Sequence, residues 1–163
     1  MTKLKVDIIA ENLLAIHPLL YKSISKPLKN KSSVTPGGMF VMGILKRNGM
    51  LSMSDIGNCL SMPKPHVTVI IDRLIEEAYV VRQNDPKDRR IVNILLTDKG
   101  SSDFEELKEA LSMNLKSKLI LLSEEEQVQL SIASQKVKEI LISILSKEKN
   151  KEFWRALKNE EKN

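Results

Sequence analysis

The 163-residue chain has little of the chemistry that enzymes and metalloproteins need. It contains one cysteine, Cys59, so an internal disulfide and a Cys-x-x-Cys pair for zinc or redox exchange are excluded. Its two histidines, His17 and His66, lie far apart without a third candidate ligand, so we expect no metal site. There is also no nucleophile paired with a base, no carboxylate pair at an apolar cleft and no phosphate-binding glycine loop. We therefore expect neither an enzyme nor a cofactor.

Long uninterrupted apolar runs and flexible linkers are absent as well. The N-terminal apolar stretch contains Asp7, Glu11 and His17, so it is neither a signal peptide nor a membrane span. No glycine- and serine-rich segment divides the chain, which predicts a single domain over residues 1–163. A cytoplasmic protein without a membrane partner is expected.

The net charge of +5 at pH 7 hints at an anionic partner, but its distribution is uneven. Residues 51–100 carry as many acidic as basic side chains, so this segment is neutral. A nucleic-acid partner therefore has to be argued from where individual cations point, and not from bulk charge.

The most informative segment is residues 72–100, DRLIEEAYVVRQNDPKDRRIVNILLTDKG. It predicts the end of a helix, two strands joined by a polar turn, and a further helix capped by Thr97. The strand residues are Val80, Val81, Ile91, Val92, Ile94, Leu95 and Leu96, and the turn residues are Asn84, Asp85 and Pro86. Lys87, Arg89 and Arg90 at the turn repel one another unless an anion binds, which favours a hairpin that straddles a DNA backbone. The alternative is a surface loop whose charges only keep it soluble.

Two short helices precede this hairpin. The first runs from Ser54 to Leu60, and the second follows the turn SMPKP. The apolar face of the second helix consists of Val67, Ile70, Ile71, Leu74 and Ile75. This pattern is typical of a helix-turn-helix, in which Lys64, His66 and Thr68 face DNA bases or phosphates. The fold class predicted is mainly α with a small β-wing, a winged helix-turn-helix plus a helical dimerisation domain.

Both ends of the chain carry apolar stripes at helical spacing. Thr35 and Pro36 predict the start of a second helix, and a capping box of Ser123 and Glu126 predicts the start of the last one. A long stripe has to be buried against something, and a second copy of the chain is the favoured partner; the alternative is the first helix of the same chain. The predicted dimer interface comprises Val6, Ile9, Leu13, Val137, Ile140, Leu141 and Ile144.

The run LSMSDIGNCLSMPKPHVTVIIDRLIEEAYVVRQNDPKDRRIVNILLTDKG, Leu51 to Gly100, resembles the MarR family of bacterial and archaeal transcription regulators. Its most specific parts are the DRL element and the stretch from DPKDRR to LTDKG. The resemblance implies a homodimer in which terminal helices interleave and hold two winged lobes. It assigns residues 1–33 and 101–146 to the dimerisation region, 34–100 to the DNA-binding lobe and 147–163 to a charged C-terminal tail.

The resemblance also implies roles for individual residues. Arg90 would enter the minor groove, while Asp72 and Asp88 would orient arginines of the helix and the wing. The sequence departs from the family where the recognition helix opens, because prolines stand at 63 and 65 and Val69 replaces a common arginine. Val69 can instead touch a thymine methyl, so the operator is expected to differ from those of better-matched relatives. The expected DNA-binding set is Lys64, Pro65, His66, Thr68, Val69, Arg73, Lys87, Arg89 and Arg90.

The function implied is sequence-specific binding of double-stranded DNA by a ligand-responsive repressor, on a pseudo-palindromic operator. A small phenolic or lipophilic effector would release the DNA, and the candidate pocket residues are His17, Tyr21, Met39 and Met42. The alternative is a winged-helix protein-interaction module that has lost DNA affinity. The neutral middle segment and the two prolines keep that alternative open.

Overall fold

The computed structural model describes the backbone of residues 2–31, 33–86, 88 and 90–147. Its side-chain description covers residues 5–22, 33–86, 88 and 90–144. The elements in order are α1 (Thr2–Lys31), α2 (Pro36–Asn48), β1 (Met50–Ser52), α3 (Met53–Leu60), α4 (Lys64–Glu76), β2 (Val80–Asn84), β3 (Val92–Leu96), α5 (Asp98–Leu119) and α6 (Glu124–Lys147). The predicted wing cations Lys87 and Arg89 and the tail beyond residue 147 lie outside the described residues.

A small antiparallel sheet lies between the helices, with strand order β1-β3-β2. The predicted hairpin is present as β2 and β3, in a register that pairs Asn84 with Val92 and Val80 with Leu96. Two boundaries differ from the prediction, since Asn84 ends β2 and Ile91 precedes β3. The amide of Asp85 donates to the carbonyl of Ile91 at 3.0 Å. The loop between the strands therefore begins at Asp85 and ends at Ile91. The mainly helical fold with a β-wing is confirmed.

The third strand, β1, was not predicted. It is three residues long and pairs with β3 through Leu51 and Ile94. It leads directly into α3, where the Ser52 hydroxyl accepts from the Asp55 amide at 3.1 Å and the Asp55 carboxylate accepts from the Ser52 amide at 3.3 Å. This capping box starts α3 at Met53, one residue before the predicted Ser54.

The other predicted caps are observed. The Thr35 hydroxyl accepts from the Gly38 amide at 3.1 Å, and Pro36 occupies the first turn of α2. The Ser123 hydroxyl accepts from the Glu126 amide at 3.2 Å, and the Glu126 carboxylate accepts from the Ser123 amide at 2.9 Å. The Ser123 amide and, at 3.1 Å, the Ser123 hydroxyl both donate to the Glu126 carboxylate, which lowers the pKa of Glu126.

One hydrophobic core joins the recognition elements. Its fully buried members come from α2, α3, α4 and the sheet: Met42, Leu45, Ile56, Ile71, Ile94, Val41, Val67 and Val80. Because α4 contributes Val67, Ile71 and Leu74 to this core, its opposite face is held toward solvent in a fixed orientation.

The lobe is tied to α5 by a backbone joint at Tyr79. The Tyr79 carbonyl accepts from the amide of Thr97 at 3.0 Å. The Thr97 hydroxyl shares its single hydrogen between the carbonyls of Ala78 at 2.8 Å and Tyr79 at 3.1 Å. The Lys99 ammonium donates to the Glu77 carbonyl at 2.6 Å and lies 4.7 Å from the centre of the Tyr79 ring. At this joint Gly100 passes so close that a Cβ would lie 2.1 Å from the Tyr79 oxygen. The start of α5 is therefore in direct contact with the segment that follows α4.

The terminal helices expose much of their apolar surface. α1 packs against α5 and α2, while in α6 every described side chain except Ile142 is exposed. Exposed interface candidates include Val6 (59%), Ile9 (56%), Ile140 (48%) and Ile144 (49%). Leu13 is half-buried, and Val137 and Leu141 are each 37% exposed. The alternative that α1 of the same chain covers the α6 stripe is therefore not observed. None of the described helices is long and apolar enough to cross a membrane.

Candidate nucleic-acid interface

The outward face of α4 carries the helix residues that the sequence analysis predicted to bind DNA. Pro65, His66, Val69 and Arg73 recur at helical spacing and are all exposed, while Lys64 opens the helix. The first three turns of α4 thus carry two cations, a histidine and two apolar side chains on the exposed side of the helix. Such a face fits the dimensions of a DNA major groove.

Thr68 has a more restricted role than its position suggests. Its hydroxyl donates to the Lys64 carbonyl one turn earlier, at 3.0 Å. This bond uses the only hydrogen of the hydroxyl, so Thr68 is left as an acceptor while the bond is made. Contact with a phosphate oxygen requires a hydrogen-bond donor. On this helix the charged donors are Lys64 and Arg73.

The wing presents Arg90 at its tip, with 95% of the side chain exposed. The carboxylate of Asp88 accepts from the Arg90 amide at 3.0 Å and lies 3.8 Å from its Nε atom. Asp88 is itself positioned, because its amide donates to Asp85 at 3.1 Å. Asp85 in turn accepts a long 3.4 Å hydrogen bond from the side chain of Asn93, which is buried in the middle of β3. A chain of hydrogen bonds therefore runs from the sheet to the wing tip.

Asp72 has a partner that the sequence analysis missed. Its carboxylate lies 2.5 Å from the Arg82 guanidinium, which belongs to β2. The arginine was overlooked because it lies at the base of the wing and not at its cationic tip. Local periodicity gave no signal for this contact, because Asp72 lies within the apolar pattern of α4, between Ile71 and Leu74, and Arg82 is ten residues away.

The helix and the wing together form a groove of about 630 Å³. Its lining brings Lys64 and Thr68 of α4 together with Arg90 of the wing, while Ser52, Met53, Ser54 and Asp55 at the start of α3 close one side. Arg73 lies elsewhere, at a smaller cavity between the start of α2 and the end of α4. The sequence analysis began this helix at Ser54 and gave it no role in DNA binding, and it did not predict the capping box of Ser52 and Asp55.

The four candidate effector residues do not come together. His17 and Tyr21 are exposed on α1 and stack with their ring centres 6.4 Å apart. Met42 is fully buried in the lobe core, and Met39 packs against that core half-buried. In this single chain, therefore, the aromatic pair lies on the exposed surface of α1, whereas the two methionines lie in or against the lobe core.

Other chemistry is not apparent at this surface. Among the described residues there is no group of three or more histidine, cysteine or acidic side chains arranged to hold a metal. Cys59 is half-buried and packs against the lobe core, as expected for a small apolar side chain.

A short helix, a recognition helix fixed by the core and an antiparallel hairpin with an arginine at its tip define a winged helix-turn-helix protein. The chain belongs to the MarR family, whose model matches residues 34–92. It is 30% identical over 130 residues to the uncharacterized transcriptional regulator YkoM of Bacillus subtilis, covering 78% of this chain and 84% of that protein.

Two further similarities extend this result. The chain is 35% identical over 99 residues to the transcriptional repressor MdtR of Bacillus subtilis, covering 61% of this chain and 64% of that repressor. Its fold is similar to a crystal structure of a mutant MarR from E. coli complexed with operator DNA. That likeness has a TM-score of 0.64 at 19% identity, and covers 82% of this chain and 95% of the other.

Proposed function

We propose that the protein is a sequence-specific transcriptional regulator that binds double-stranded DNA. The observation that carries this proposal is the groove in which Lys64 and Thr68 of the recognition helix meet Arg90 of the wing. A helix in the major groove and an arginine in the neighbouring minor groove contact the backbone from two sides, which is how winged helices hold a duplex. The mutant MarR from E. coli that has a similar fold is complexed with operator DNA, which supports the same role.

The proposed active form is a homodimer. Many large apolar side chains of α1 and α6 are exposed in the single chain, among them Ile9, Ile140 and Ile144. A monomer rarely leaves so much apolar surface open to solvent. A two-fold dimer presents two recognition helices to a pseudo-palindrome, whose half-sites lie about 34 Å apart along the duplex. Residues 1–33 and 101–146 would form the dimerisation region and residues 34–100 the DNA-binding lobe.

Repression and its relief are the finer part of the proposal. The relative MdtR is named a repressor, which favours repression over activation. A small phenolic or lipophilic effector is proposed to act between α1 and the lobe, where α1 contacts α2 and α5. The joint at Tyr79 links α5 in turn to the segment that follows α4. We propose a cytoplasmic location, and neither a cofactor nor an enzymatic activity.

A protein-interaction module without DNA affinity is the second candidate. It is favoured by the balanced charge of residues 51–100 and by Pro63 and Pro65, which remove two backbone donors near the start of α4. The two candidates differ in their response to salt, because only binding to DNA releases condensed counterions.

The deciding experiment measures binding of the full chain to duplexes from its own upstream region, between 50 and 200 mM salt. With Lys64, Arg73 and Arg90 used in both lobes, the affinity is expected to fall by about 1,000-fold across this range. Lys108, an exposed cation on α5, provides the matched control, since Lys108→Ala should leave the salt slope unchanged. A flat salt dependence, or no binding to any fragment, would favour the interaction module.

A further inference from the structure

The recognition helix exposes apolar surface among its cations. Val69 is 56% exposed, although the lobe core has Val67 and Ile71 on either side of it in sequence, both almost fully buried. Pro65 lies one helical turn before Val69 and is exposed as well. Neither side chain has a hydrogen-bond donor or acceptor, so this part of the face is apolar while Lys64 and Arg73 border it with positive charge.

The edges of the bases limit what such a surface can recognise. In the major groove every base presents hydrogen-bond donors or acceptors, and only thymine adds an apolar group, its 5-methyl. A valine against an amino or carbonyl group would remove water from that group without replacing the hydrogen bond, which is unfavourable. A valine against a thymine methyl removes apolar surface of both partners from water, which is favourable.

Val69 is also well placed and rigid. It lies in the second turn of α4, and the N-terminal residues of a recognition helix are the ones that reach base edges. A branched side chain on a helix has one strongly preferred rotamer, so little conformational freedom is lost on contact. The helix itself is held by its buried face and by the ion pair between Asp72 and Arg82.

We propose that Val69 is a specificity-determining residue that reads the 5-methyl group of a thymine in each operator half-site, with Pro65 extending the apolar surface. This inference rests on the proposed function, since it requires that α4 enters the major groove. It gives the recognition helix a preference for a T·A pair at one step without any hydrogen bond to that pair. The competing view is that Val69 is an ordinary exposed apolar side chain, of which protein surfaces have many.

The test uses single-group changes on both sides of the contact. Duplexes that bind the full chain are selected from a random-sequence library, and the thymines of the enriched half-site are replaced one position at a time by deoxyuridine, which lacks only the methyl group. At one position per half-site the wild-type affinity is expected to fall about fourfold, and about 15-fold when both half-sites are changed, as for burial of one methyl group each. In Val69→Ala the same replacement is expected to change affinity by less than twofold.

Two controls separate this contact from general effects. Val81→Ala makes the same truncation at a valine of similar exposure, 48%, on β2, and should keep the full deoxyuridine effect. Replacing the critical thymine by 5-methylcytosine, paired with guanine, should bind more tightly than unmodified cytosine with the wild type and equally with Val69→Ala. Both protein variants are checked by thermal unfolding, which is expected to stay unchanged because both side chains are largely exposed.

The outcomes are distinguishable. If the chain binds selected duplexes but no thymine methyl matters, or if the deoxyuridine effect is the same in Val69→Ala, the inference is wrong and the DNA-binding function stands. If no duplex is enriched at all, the proposed function itself is refuted, and the reading by Val69 with it.

Discussion

Asp72 of the recognition helix and Arg82 of the first wing strand form an ion pair at 2.5 Å. The pair connects the element that would enter the major groove to the element that would reach the minor groove. Both side chains are nearly half exposed, at 46% and 44%, so solvent screens the charges and the pair adds little to folding. We expect its effect to be geometric, on the angle between α4 and the wing.

Breaking this pair is therefore expected to affect DNA binding more than stability. Asp72→Asn and Arg82→Gln should each lower the free energy of unfolding by less than about 1 kcal/mol. Each should weaken operator binding by on the order of 1 kcal/mol, and the double variant should be no worse than either single one, since one interaction is lost in all three. Denaturant unfolding and fluorescence anisotropy check this, with Glu105→Gln in α5 as the control. Additive losses of affinity would show that the two residues act separately.

Arg90 is expected to provide the main contact of the wing. Arg90→Ala should weaken operator binding by about 1–3 kcal/mol, because a narrow minor groove concentrates negative potential on the cation. Asp88→Asn should cost less, since it loosens Arg90 without removing its charge. Titrations at matched salt measure both, and Lys108→Ala should bind like the wild type. An Arg90→Ala protein with unchanged affinity would mean that the wing stays clear of the DNA.

The elements that local chemistry determines were predictable from sequence. Thr35, Thr97 and Ser123 each begin a helix because a side-chain oxygen satisfies a free amide, and each cap is observed. β1 was missed because three residues carry no usable periodicity, and the strand exists only through pairing with β3. Arg82 was missed for the same kind of reason, since its partner is ten residues away across a turn. Contacts between elements are not encoded in the local pattern.

Gly100 is predicted to be essential for the joint between the lobe and α5. In Gly100→Ala the new methyl group would meet the Tyr79 carbonyl, which the Thr97 amide holds in place. Because the obstacle is backbone, the helix start has to shift, and the free energy of unfolding should fall by about 1–3 kcal/mol. Gly57→Ala is the matched control, since its added methyl would find only ordinary contacts at 3.5 Å or more and a helical alanine is favoured. Equal stability of the two variants in urea titrations would contradict this account.

Dimerisation through the terminal helices is expected to be required for operator binding. Ile140 and Leu141 are 48% and 37% exposed in the single chain, on the side of α6 that carries the predicted interface. Ile140→Asp or Leu141→Asp would place a charge inside a shared apolar seam, where it has no partner and loses its hydration. Each variant should therefore become monomeric and lose tight operator binding, while the winged lobe keeps its fold. Light scattering at micromolar concentration and gel shifts measure the two effects.

The control for this prediction is a charge on the polar face of the same helix. Gln135 is exposed, donates to Glu139 at 3.2 Å and is not one of the predicted interface residues. Gln135→Asp therefore adds the same charge to α6 away from the seam. That variant should remain dimeric and bind DNA, with at most a few tenths of a kcal/mol lost to repulsion between neighbouring carboxylates. If the wild-type chain is a folded monomer, or if Ile140→Asp stays dimeric and binds normally, the dimer interface lies on another surface. The spacing of the two recognition helices would then have to be set by other contacts.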